Sequence, residues 1–539
     1  MSTSNIYKEI FMRNISGLFI LLFVCYAIPV FAEVQIGDTV FTESFDSGKL
    51  SNDWKINSPQ FVSVRNNALQ VSIPADSQSK NASAVITLPA GQLAGARLRV
   101  TSRIKAENIA EPPQPWNGIK VMLIIDTPHG KQWLQANEGS GSFDWKGNTF
   151  NADIPRDVKS IELLLGIENT TGTVLIDDVN IRVIGKQRSR PAQKADKSKP
   201  VYKGHNLPRL RGAMISPGRF KSEDIKVFGG EWKANHVRWQ LTWSGFPNGP
   251  ADTATVEEYN KWIDEQCRLL DEMLPECKKY GVYVCLDVHT PPGGRIPKDK
   301  GSTMRMFHEK EFQDAFVALW EKLAKRYKDE KMVWSYDLLN EPVEGIIPEN
   351  SGLLDWRSLA LKTAKAIRKI DAEKAIVLSA APWGGPDTLE WFEPFDPKEV
   401  PNVIYTVHVY VPHSFTHQGV HSKSEPLDYP GKIGGLHWDK ETLRKALQNT
   451  LDYSTDYGAA IYIGEFSAIR WAPNGSAYRY LKDCIELFEE YGWDWSYHAF
   501  REWDGWSVEH GEVQNDRKPT AVPTEREKLL RSWFEKNER

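Results

Sequence analysis

The chain has 539 residues, and 67 Lys and Arg against 71 Asp and Glu give it a formal net charge of −4 at pH 7. This length allows more than one domain, and a charge so close to neutral provides no basic face for nucleic acid. Hydrophobic residues make up 41% and charged residues 26% of the chain, which is an ordinary globular composition. We therefore expect a folded protein with an uncharged partner, and we expect no binding of nucleic acid.

The first 32 residues have the pattern of a secretory signal peptide. Lys8 and Arg13 precede an apolar run over 15–31, and residues 30–32 (Val-Phe-Ala) resemble a small-residue cleavage site. A membrane anchor is the alternative, but the run contains a proline and no basic flank follows it. We therefore predict that residues 1–32 are removed, and that the mature protein is secreted, to a periplasm or outside the cell, with no membrane segment.

Residues 33–185 are predicted to form an all-β domain. Short β-rich runs are separated by Asn, Gly, Pro and Asp, as in a β-sandwich; they are 61–64, 68–73, 84–88 and 120–125. A final run over 172–181 resembles the last strand of jelly-roll carbohydrate-binding modules. This resemblance implies a jelly-roll sandwich, with a plain spacer as the alternative to a sugar-binding module. The candidate stacking residues are Trp116, Trp133 and Trp145.

A polar, basic stretch over 186–208 has no apolar period, which predicts a linker. Over 209–539, apolar runs of strand length alternate with amphipathic runs of helix length, which indicates a parallel sheet. The eight strand runs are 211–215, 234–240, 282–288, 333–339, 375–379, 403–410, 459–464 and 493–499. They predict the α/β class and a closed (β/α)8 TIM barrel. An open doubly wound sheet is the alternative, although no glycine-rich phosphate loop follows the first run.

Polar and ionisable residues recur where these apolar runs end, which is where the active sites of such barrels lie. Glu341 directly follows the fourth run and Glu465 the seventh. A single glutamate is usually a solvated surface residue. Two glutamates at strand ends of one barrel, however, can face each other, and hydrolysis of a glycosidic bond requires two carboxyl groups. We therefore predict that Glu341 and Glu465 form a catalytic pair.

Two motifs, residues 340–342 (Asn-Glu-Pro) and 463–466 (Ile-Gly-Glu-Phe), resemble the catalytic-glutamate motifs of glycoside hydrolase family 5. The same family is matched, in order and at the expected strands, by Arg238, His289, His408 and Tyr410. The resemblance covers about residues 209–510. It implies a retaining mechanism in which Glu341 acts first as acid and then as base, while Glu465 forms a glycosyl-enzyme ester.

The resemblance also implies roles for the surrounding residues. Arg238 would keep Glu465 ionised, because an adjacent positive charge favours the carboxylate, and Tyr410 would orient the same group. The remaining predicted sugar contacts are Asn340 at the 2-hydroxyl, His289 at other hydroxyls of that sugar, and His408 beside Glu341.

The eighth strand is where the family places a tryptophan under the sugar at the cleavage point. Trp495 and Trp503 are equal candidates for this platform, and the other would be packing or a more distant subsite. Three further carboxylates lie nearby in the sequence, and each would bind hydroxyls or be solvated, or one would limit the subsites by contacting a chain end: Glu502, Asp504 and Glu509.

The predicted function is that of an endo-β-1,4-glucanase of the cellulase type, acting on a polysaccharide or oligosaccharide. A β-mannanase or another β-glycan hydrolase of the family is the alternative, because the two catalytic glutamates are common to these enzymes. A non-catalytic carbohydrate-binding protein is the third possibility. We expect a monomer with no metal and no cofactor, and free buried thiols at the four cysteines beyond the predicted signal peptide: Cys267, Cys277, Cys285 and Cys484.

Overall fold

The computed structural model describes residues 34–188, 204–243, 249–296, 303–348, 350–420 and 425–538. The predicted signal peptide and most of the predicted linker lie outside these residues. The chain divides into two compact units, Met1–Ile184 and Gly185–Arg539. Within the described part of the chain, we find no helix with the length and hydrophobicity needed to span a bilayer.

The first unit consists of two antiparallel sheets. One sheet has the order β3-β4-β11-β6-β9, with β1 paired to β11, and the other has the order β2-β5-β10-β7-β8. The strands are β1 (Thr39–Glu43), β2 (Lys55–Asn57), β3 (Val62–Arg65), β4 (Ala68–Ile73), β5 (Ala82–Leu88), β6 (Ala96–Ile109), β7 (Gly118–Thr127), β8 (Gly130–Gln135), β9 (Gly141–Asp153), β10 (Ser160–Glu168) and β11 (Gly172–Lys186). A short helix, α1 (Ala90–Leu93), follows β5.

Alternation along the strands builds the core between these sheets. In β6, Leu98 and Val100 are fully buried while the intervening Arg99 faces outward, because successive side chains of a strand point to opposite faces. Inward residues of the second sheet, such as Leu123 and Leu163, belong to the same hydrophobic cluster. The predicted all-β N-terminal fold is therefore confirmed.

The second unit is a closed barrel of parallel strands, β12-β13-β14-β15-β16-β17-β20-β21, and the predicted TIM barrel is confirmed. The strands are β12 (Arg211–Ile215), β13 (His236–Gln240), β14 (Tyr283–Asp287), β15 (Val333–Asp337), β16 (Ala375–Ser379), β17 (Val403–Val409), β20 (Ala460–Phe466) and β21 (Asp494–Tyr497). A hairpin of β18 (Gly431–Ile433) and β19 (Leu436–Trp438) follows β17.

The described helices of this unit surround the barrel. They are α2 (Ser222–Ile225), α3 (Val256–Tyr280), α4 (Lys310–Tyr327), α5 (Trp356–Arg368), α6 (His413–Thr416), α7 (Lys440–Ala446), α8 (Gln448–Tyr457), α9 (Ser476–Tyr491) and α10 (Glu525–Phe534). A π-helical turn covers Lys226–Glu231, and 3-10 turns cover Pro59–Phe61 in the first unit and Pro217–Arg219, Pro250–Asp252, Arg305–Phe307, Thr388–Trp391 and Pro473–Gly475 in the second.

The barrel closes at a seam between its first and last strands. Arg211 of β12 lies opposite Trp495 of β21, and both donate hydrogen bonds to Glu489 of α9, at 2.7 Å from Arg211 Nε and 2.8 Å from Trp495 Nε1. The indole ring of Trp495 packs against Phe534 of α10. One carboxylate on an outer helix thus holds both strands of the seam.

The start of the predicted linker is packed rather than solvated where the structure describes it. Arg188 is fully buried, and its Nη1 lies 3.1 Å from Oδ2 of Asp456 in α8. Its guanidinium also lies over the ring of Tyr453, 5.4 Å from the ring centroid. The four cysteines beyond the predicted signal peptide are free and buried, as expected.

Candidate active site

The carboxyl ends of the barrel strands bring the predicted catalytic pair together. Glu341 follows β15 and Glu465 lies near the end of β20, and a carboxylate oxygen of one lies within 4.8 Å of a carboxylate oxygen of the other. Retaining glycosidases have carboxyl groups about 5–5.5 Å apart, whereas inverting enzymes need about 6.5–9.5 Å to admit a water molecule. The spacing of this pair therefore fits the retaining geometry.

The backbone holds Glu341 in an unusual conformation. Its φ of 44° lies in the left-handed region, which non-glycine residues rarely adopt outside functional sites and turns. Arg295 Nη2 donates to the main-chain oxygen of Glu341 at 2.9 Å, and the side chain of Glu341 is 23% exposed. The carboxyl group is therefore fixed in position and open to a ligand.

Glu465 is buried within a shell of donors and positive charges. Arg238 Nη1 donates to its Oε1 and Tyr410 Oη donates to its Oε2, both at 2.8 Å. Burial by itself raises the pKa of Glu465, but the charges of His408, His498 and Arg238 outweigh that effect and lower it below its ordinary range. The carboxylate is therefore ionised, as a nucleophile requires.

The glycine before Glu465 permits the close packing of β20 on β17. A Cβ at Gly464 would lie 2.6 Å from Thr406 Oγ1 and 3.1 Å from His408 Nε2. Its backbone N–H donates to that Thr406 hydroxyl at 3.1 Å. A larger residue before Glu465 would collide with Thr406, which explains why glycine precedes glutamate in this motif.

Arg238 anchors the floor of the site. It is fully buried in β13, and besides Glu465 it contacts Asp337 through Nε at 2.8 Å and Asp287 through Nη2 at 3.1 Å. Burial lowers the pKa of Arg238, but Asp287, Asp337 and Glu465 raise it well above its usual value. Burial also raises the pKa of Asp337 to about 6, against the opposing charge of Arg238. Arg238 is thus a permanent cation beneath the carboxylate pair.

A hydrogen-bond chain orients the predicted sugar-binding amide. Asn340 accepts a bond from Arg238 Nη2 through Oδ1 at 3.1 Å, and its Nδ2 lies 3.2 Å from His289 Nε2. His289 Nδ1 in turn lies 2.8 Å from Asp287 Oδ2. Because the amide nitrogen only donates, this pattern assigns the proton of the His289 ring to Nδ1.

His408 bridges the two glutamates. Its Nδ1 lies 2.9 Å from Glu341 Oε1 and 3.7 Å from Glu465 Oε2. Burial lowers the pKa of His408, but both carboxylates raise it further, so the net shift is upward. The structure thus brings together seven of the predicted site residues: Arg238, His289, Asn340, Glu341, His408, Tyr410 and Glu465.

Trp495 does not belong to this group, which contradicts its predicted role as a sugar platform. It is fully buried, and its indole points away from the site toward Glu489 and Phe534 on the outer helices. Trp503 is half-buried and lies near the rim, where its ring packs against Trp506, 5.6 Å between centroids. Trp506 in turn packs against Tyr410 and His498. Trp503 therefore stays the candidate platform.

Sequence reasoning missed several residues at this rim. His498 directly follows β21, and its Nδ1 hydrogen-bonds Tyr410 Oη and lies 3.5 Å from Glu465 Oε2. Gln240 ends β13, two residues after Arg238, and donates to Glu502. Position at a strand end was the signal that could have identified both residues. Trp383, in the loop after β16, is 43% exposed and had no such signal.

The grouping of Glu341, His408 and Glu465 has the donor types for a metal ion, with the donor atoms within 4.8 Å of one another. Both oxygens of Glu465, however, already accept hydrogen bonds, from Arg238 and Tyr410. The fixed positive charge of Arg238 also opposes a second cation at this carboxylate. The arrangement fits proton transfer and nucleophilic attack better than metal binding.

The sequence profile of the cellulase family (glycosyl hydrolase family 5) matches residues 196–503, more than half of the chain. The chain belongs to glycosyl hydrolase family 5. It is a glycoside hydrolase, and the predicted family and enzyme class are confirmed.

Relatives of this family 5 hydrolase include bacterial cellulases. Endoglucanase C of Acetivibrio thermocellus is 32% identical over 279 residues, which cover 46% of this chain and 78% of the relative. Cellodextrinase A of Ruminococcus flavefaciens is 26% identical over 311 residues, which cover 55% of this chain and 84% of the relative. The solved endoglucanase Cel5A of Thermotoga maritima is also similar, with 24% identity and a TM-score of 0.44, covering 60% of this chain and 96% of that structure.

Proposed function

We propose that this protein is a retaining endo-β-1,4-glucanase that acts by double displacement through Glu341 and Glu465. The observation that carries the proposal is the carboxylate pair, with oxygens within 4.8 Å of one another and one member buried and ionised. The β-1,4-glucan substrate is supported by the relatives, which include an endoglucanase and a cellodextrinase.

In the first step, Glu465 attacks the anomeric carbon and Glu341 gives its proton to the glycosidic oxygen. The bond between the anomeric carbon and that oxygen breaks, and a glycosyl ester of Glu465 forms. Arg238 and Tyr410 hold the attacking carboxylate in place, since each donates to one of its oxygens. Asn340 would hydrogen-bond the sugar 2-hydroxyl, a contact that strengthens in the transition state.

In the second step, Glu341 is a carboxylate and takes a proton from a water molecule. The water oxygen attacks the anomeric carbon, the ester bond to Glu465 breaks, and Glu341 recovers its proton. His408 Nδ1 lies 2.9 Å from Glu341 Oε1 and so orients this carboxyl group between the two steps. Two inversions at one carbon give net retention of configuration.

The test is reducing-sugar release from carboxymethylcellulose, mixed-linkage β-glucan, xyloglucan, glucomannan, galactomannan and xylan by wild type and Glu465→Gln. We expect release from the β-1,4-glucans, reduced about 10⁴-fold or more by the substitution, as when a nucleophile is removed. Release from galactomannan alone would instead identify a β-mannanase. Equal release by wild type and variant would contradict the assignment of Glu465.

For the N-terminal domain, residues 33–185, we propose a carbohydrate-binding module. Trp116 and Trp133 are 59% and 60% exposed, which is unusual for large aromatic side chains. Trp133 lies on β8, and Gln135, two residues along and on the same face, donates to the main-chain oxygen of Trp116 at 2.8 Å. Exposed flat apolar rings suit stacking on a sugar chain. Trp145 is already covered by Arg103, 4.9 Å from its ring centroid.

The matching experiment uses the full chain with Trp116→Ala and Trp133→Ala together. We expect binding to insoluble cellulose to fall about 30-fold, since each of the two stacked rings contributes on the order of 1 kcal/mol. Hydrolysis of a soluble oligosaccharide should change by less than about 2-fold. Unchanged binding would indicate that the domain is a spacer.

We also propose that residues 1–32 are a cleaved signal peptide, that residues 186–208 connect this domain to the catalytic domain over 209–539, and that the protein is a secreted monomer. The apolar run over 15–31 and the polar composition of 186–208 support these assignments. N-terminal sequencing of the exported protein should begin at Glu33, and sedimentation should give the mass of one chain. An uncleaved N-terminus would indicate an anchor.

A further inference from the structure

A third carboxylate, Glu502, lies at the rim of the candidate active site and has no part in the double displacement. Gln240 Nε2 donates to its Oε2 at 2.5 Å, and His498 Nε2 lies 3.3 Å from its Oε1. Its side chain is 23% exposed. Glu502 is therefore held in one orientation by residues from two strand ends, β13 and β21, and still reaches the surface of the site.

His498 couples Glu502 to the proposed nucleophile. While its Nε2 contacts Glu502, its Nδ1 hydrogen-bonds Tyr410 and lies 3.5 Å from Glu465. The other two carboxylates of this segment have different partners: Asp504 pairs with Arg470 at 3.0 Å, and Glu509 pairs with Arg501 at 2.8 Å. Of the three carboxylates near the eighth strand, Glu502 is the one whose contacts lead into the site.

The position of Glu502 on the barrel fixes which part of a substrate it would meet. Glu341, which protonates the leaving group, follows the fourth strand, and His408 beside it lies on the sixth. Glu502 follows the eighth strand and contacts Gln240 on the second. With this arrangement, a leaving group protonated by Glu341 would lie toward the fourth and sixth strands, and Glu502 would meet the sugar that becomes attached to Glu465.

The charge of Glu502 defines the chemistry of that contact. Burial raises its pKa, but the charge and hydrogen bond of His498 lower it further, so the net shift is downward. An ionised carboxylate accepts hydrogen bonds and cannot donate them. It therefore suits sugar hydroxyl groups and repels a uronate or another anionic sugar.

We propose that Glu502 is a specificity-determining residue that accepts hydrogen bonds from hydroxyl groups of the sugar unit taken up by Glu465. This inference rests on the proposed function, because it assumes the same bound sugar. The eighth strand is followed by the ionic pair of His498 and Glu502, and Glu502 directly precedes the candidate platform Trp503 in the chain. The unit at this subsite is selected by its hydroxyl groups and by its lack of charge.

The test is a set of steady-state measurements on 4-nitrophenyl β-cellobioside and on analogues that lack the 3- or the 6-hydroxyl of the unit next to the aglycone. We expect wild type to lose about 10- to 150-fold in kcat/KM on the analogue without the contacted hydroxyl, the range for a hydrogen bond to a charged group. In Glu502→Ala the parent substrate should lose a similar factor. The variant should then treat parent and analogue alike within about 3-fold.

Glu502→Gln keeps the shape and removes the charge, so it serves if the alanine variant does not fold. Glu509→Gln, a carboxylate of the same segment outside the site, is the matched control and should keep the discrimination of wild type. The inference is overturned if both Glu502 variants discriminate between parent and analogues as wild type does. It is also overturned if they lose equal activity on every substrate, since that outcome indicates a structural role alone.

Failure of the proposed function has a different signature. Wild type would then release no nitrophenol, or Glu465→Gln would be as active as wild type. If wild type is active, Glu465→Gln is inactive and the Glu502 variants discriminate normally, only the role of Glu502 fails. Should wild type prefer the β-mannobioside, the same deoxy series is made on that sugar.

Discussion

Arg238 is the residue on which the electrostatics of the site depend. One guanidinium, fully buried, contacts the carboxylates of Asp287, Asp337 and Glu465 within 3.1 Å. Removing one partner from a buried ion pair leaves a charge without compensation, which typically costs about 3–5 kcal/mol. The neutral substitution Arg238→Gln should therefore lower the free energy of unfolding by about that amount.

Urea denaturation at pH 7 measures this change. The matched control is Arg268→Gln, which removes an exposed arginine paired with Glu265 and Glu272 on the surface of α3. Exposed ion pairs contribute about 0–1 kcal/mol, so the control should be close to wild type. Equal stability of the two variants would show that Arg238 is not the buried anchor described above.

Trp495 has a structural role, and a second prediction follows from it. Its indole donates to Glu489 and its ring packs on Phe534, with no exposure to solvent. Trp495→Phe removes part of the buried volume and one of the donors to Glu489, which keeps its bonds from Arg211, so it should lower the free energy of unfolding by about 1–3 kcal/mol. The kcat/KM on a soluble substrate should change by less than about 3-fold. A large loss of kcat/KM in a stable variant would restore the sugar-platform interpretation.

At the scale of elements, the sequence predicted most of the fold and the catalytic pair for a definite reason. The ends of parallel barrel strands meet at one face, so polar residues that follow apolar runs identify the site. Glu341 and Glu465 both follow that rule. The ends of helix α3 can be recognised from the sequence, because Thr255 and Glu258 form a capping box at its start and Gly281, at φ 64°, follows its last turn.

The features that the sequence did not predict correctly also have physical explanations. Barrel strands are buried on both faces, so β21 shows no alternation that tells an inward residue from an outward one, and Trp495 could not be oriented. The amphipathic run between β19 and β20 forms two helices, α7 and α8, which meet at Leu447, and the amphipathic pattern alone does not reveal this division. His498 and Gln240 lie at strand ends, a signal that was not used, and their contacts with Glu465 and Glu502 show what each of them holds.

The loop after β16 carries a third prediction. Trp383 adopts φ 62°, its N–H donates to the main-chain oxygen of Pro342 at 3.2 Å, and the guanidinium of Arg295 lies 4.9 Å from its ring centroid. The exposed ring therefore lies close to Glu341, the proposed acid, and we predict that it contacts the sugar on the leaving-group side. An aromatic contact of about 0.5–1.5 kcal/mol corresponds to a 2- to 12-fold change in binding.

We expect Trp383→Ala to raise the KM for cello-oligosaccharides by about 2- to 12-fold, with a smaller effect on kcat. The measurement uses oligosaccharides of increasing length, because the effect should be present only when a sugar occupies the leaving-group side. Unchanged KM for the longest substrate would remove Trp383 from the binding site.

At the scale of the whole molecule, the two units have different proposed roles. The barrel holds every residue assigned to bond cleavage, whereas the two exposed tryptophans of the sandwich, Trp116 and Trp133, would hold the polymer. Sequence composition could separate these units because the change from period-2 strands to alternating strands and helices is abrupt. It could not show that Arg188, within a basic polar stretch, is buried against α8.

The barrel seam has a consequence for how fast the protein folds and unfolds. Arg211 and Trp495 pair across the seam although the rest of the catalytic domain separates them in sequence. Contacts between such distant segments form late, because the chain must lose much of its freedom before they are gained. Removing Glu489, which holds both strands, should therefore accelerate unfolding and leave the refolding rate nearly unchanged. Stopped-flow measurements of the unfolding and refolding rates of Glu489→Gln test this expectation. We thus expect one carboxylate on α9 to set the lifetime of the folded catalytic barrel.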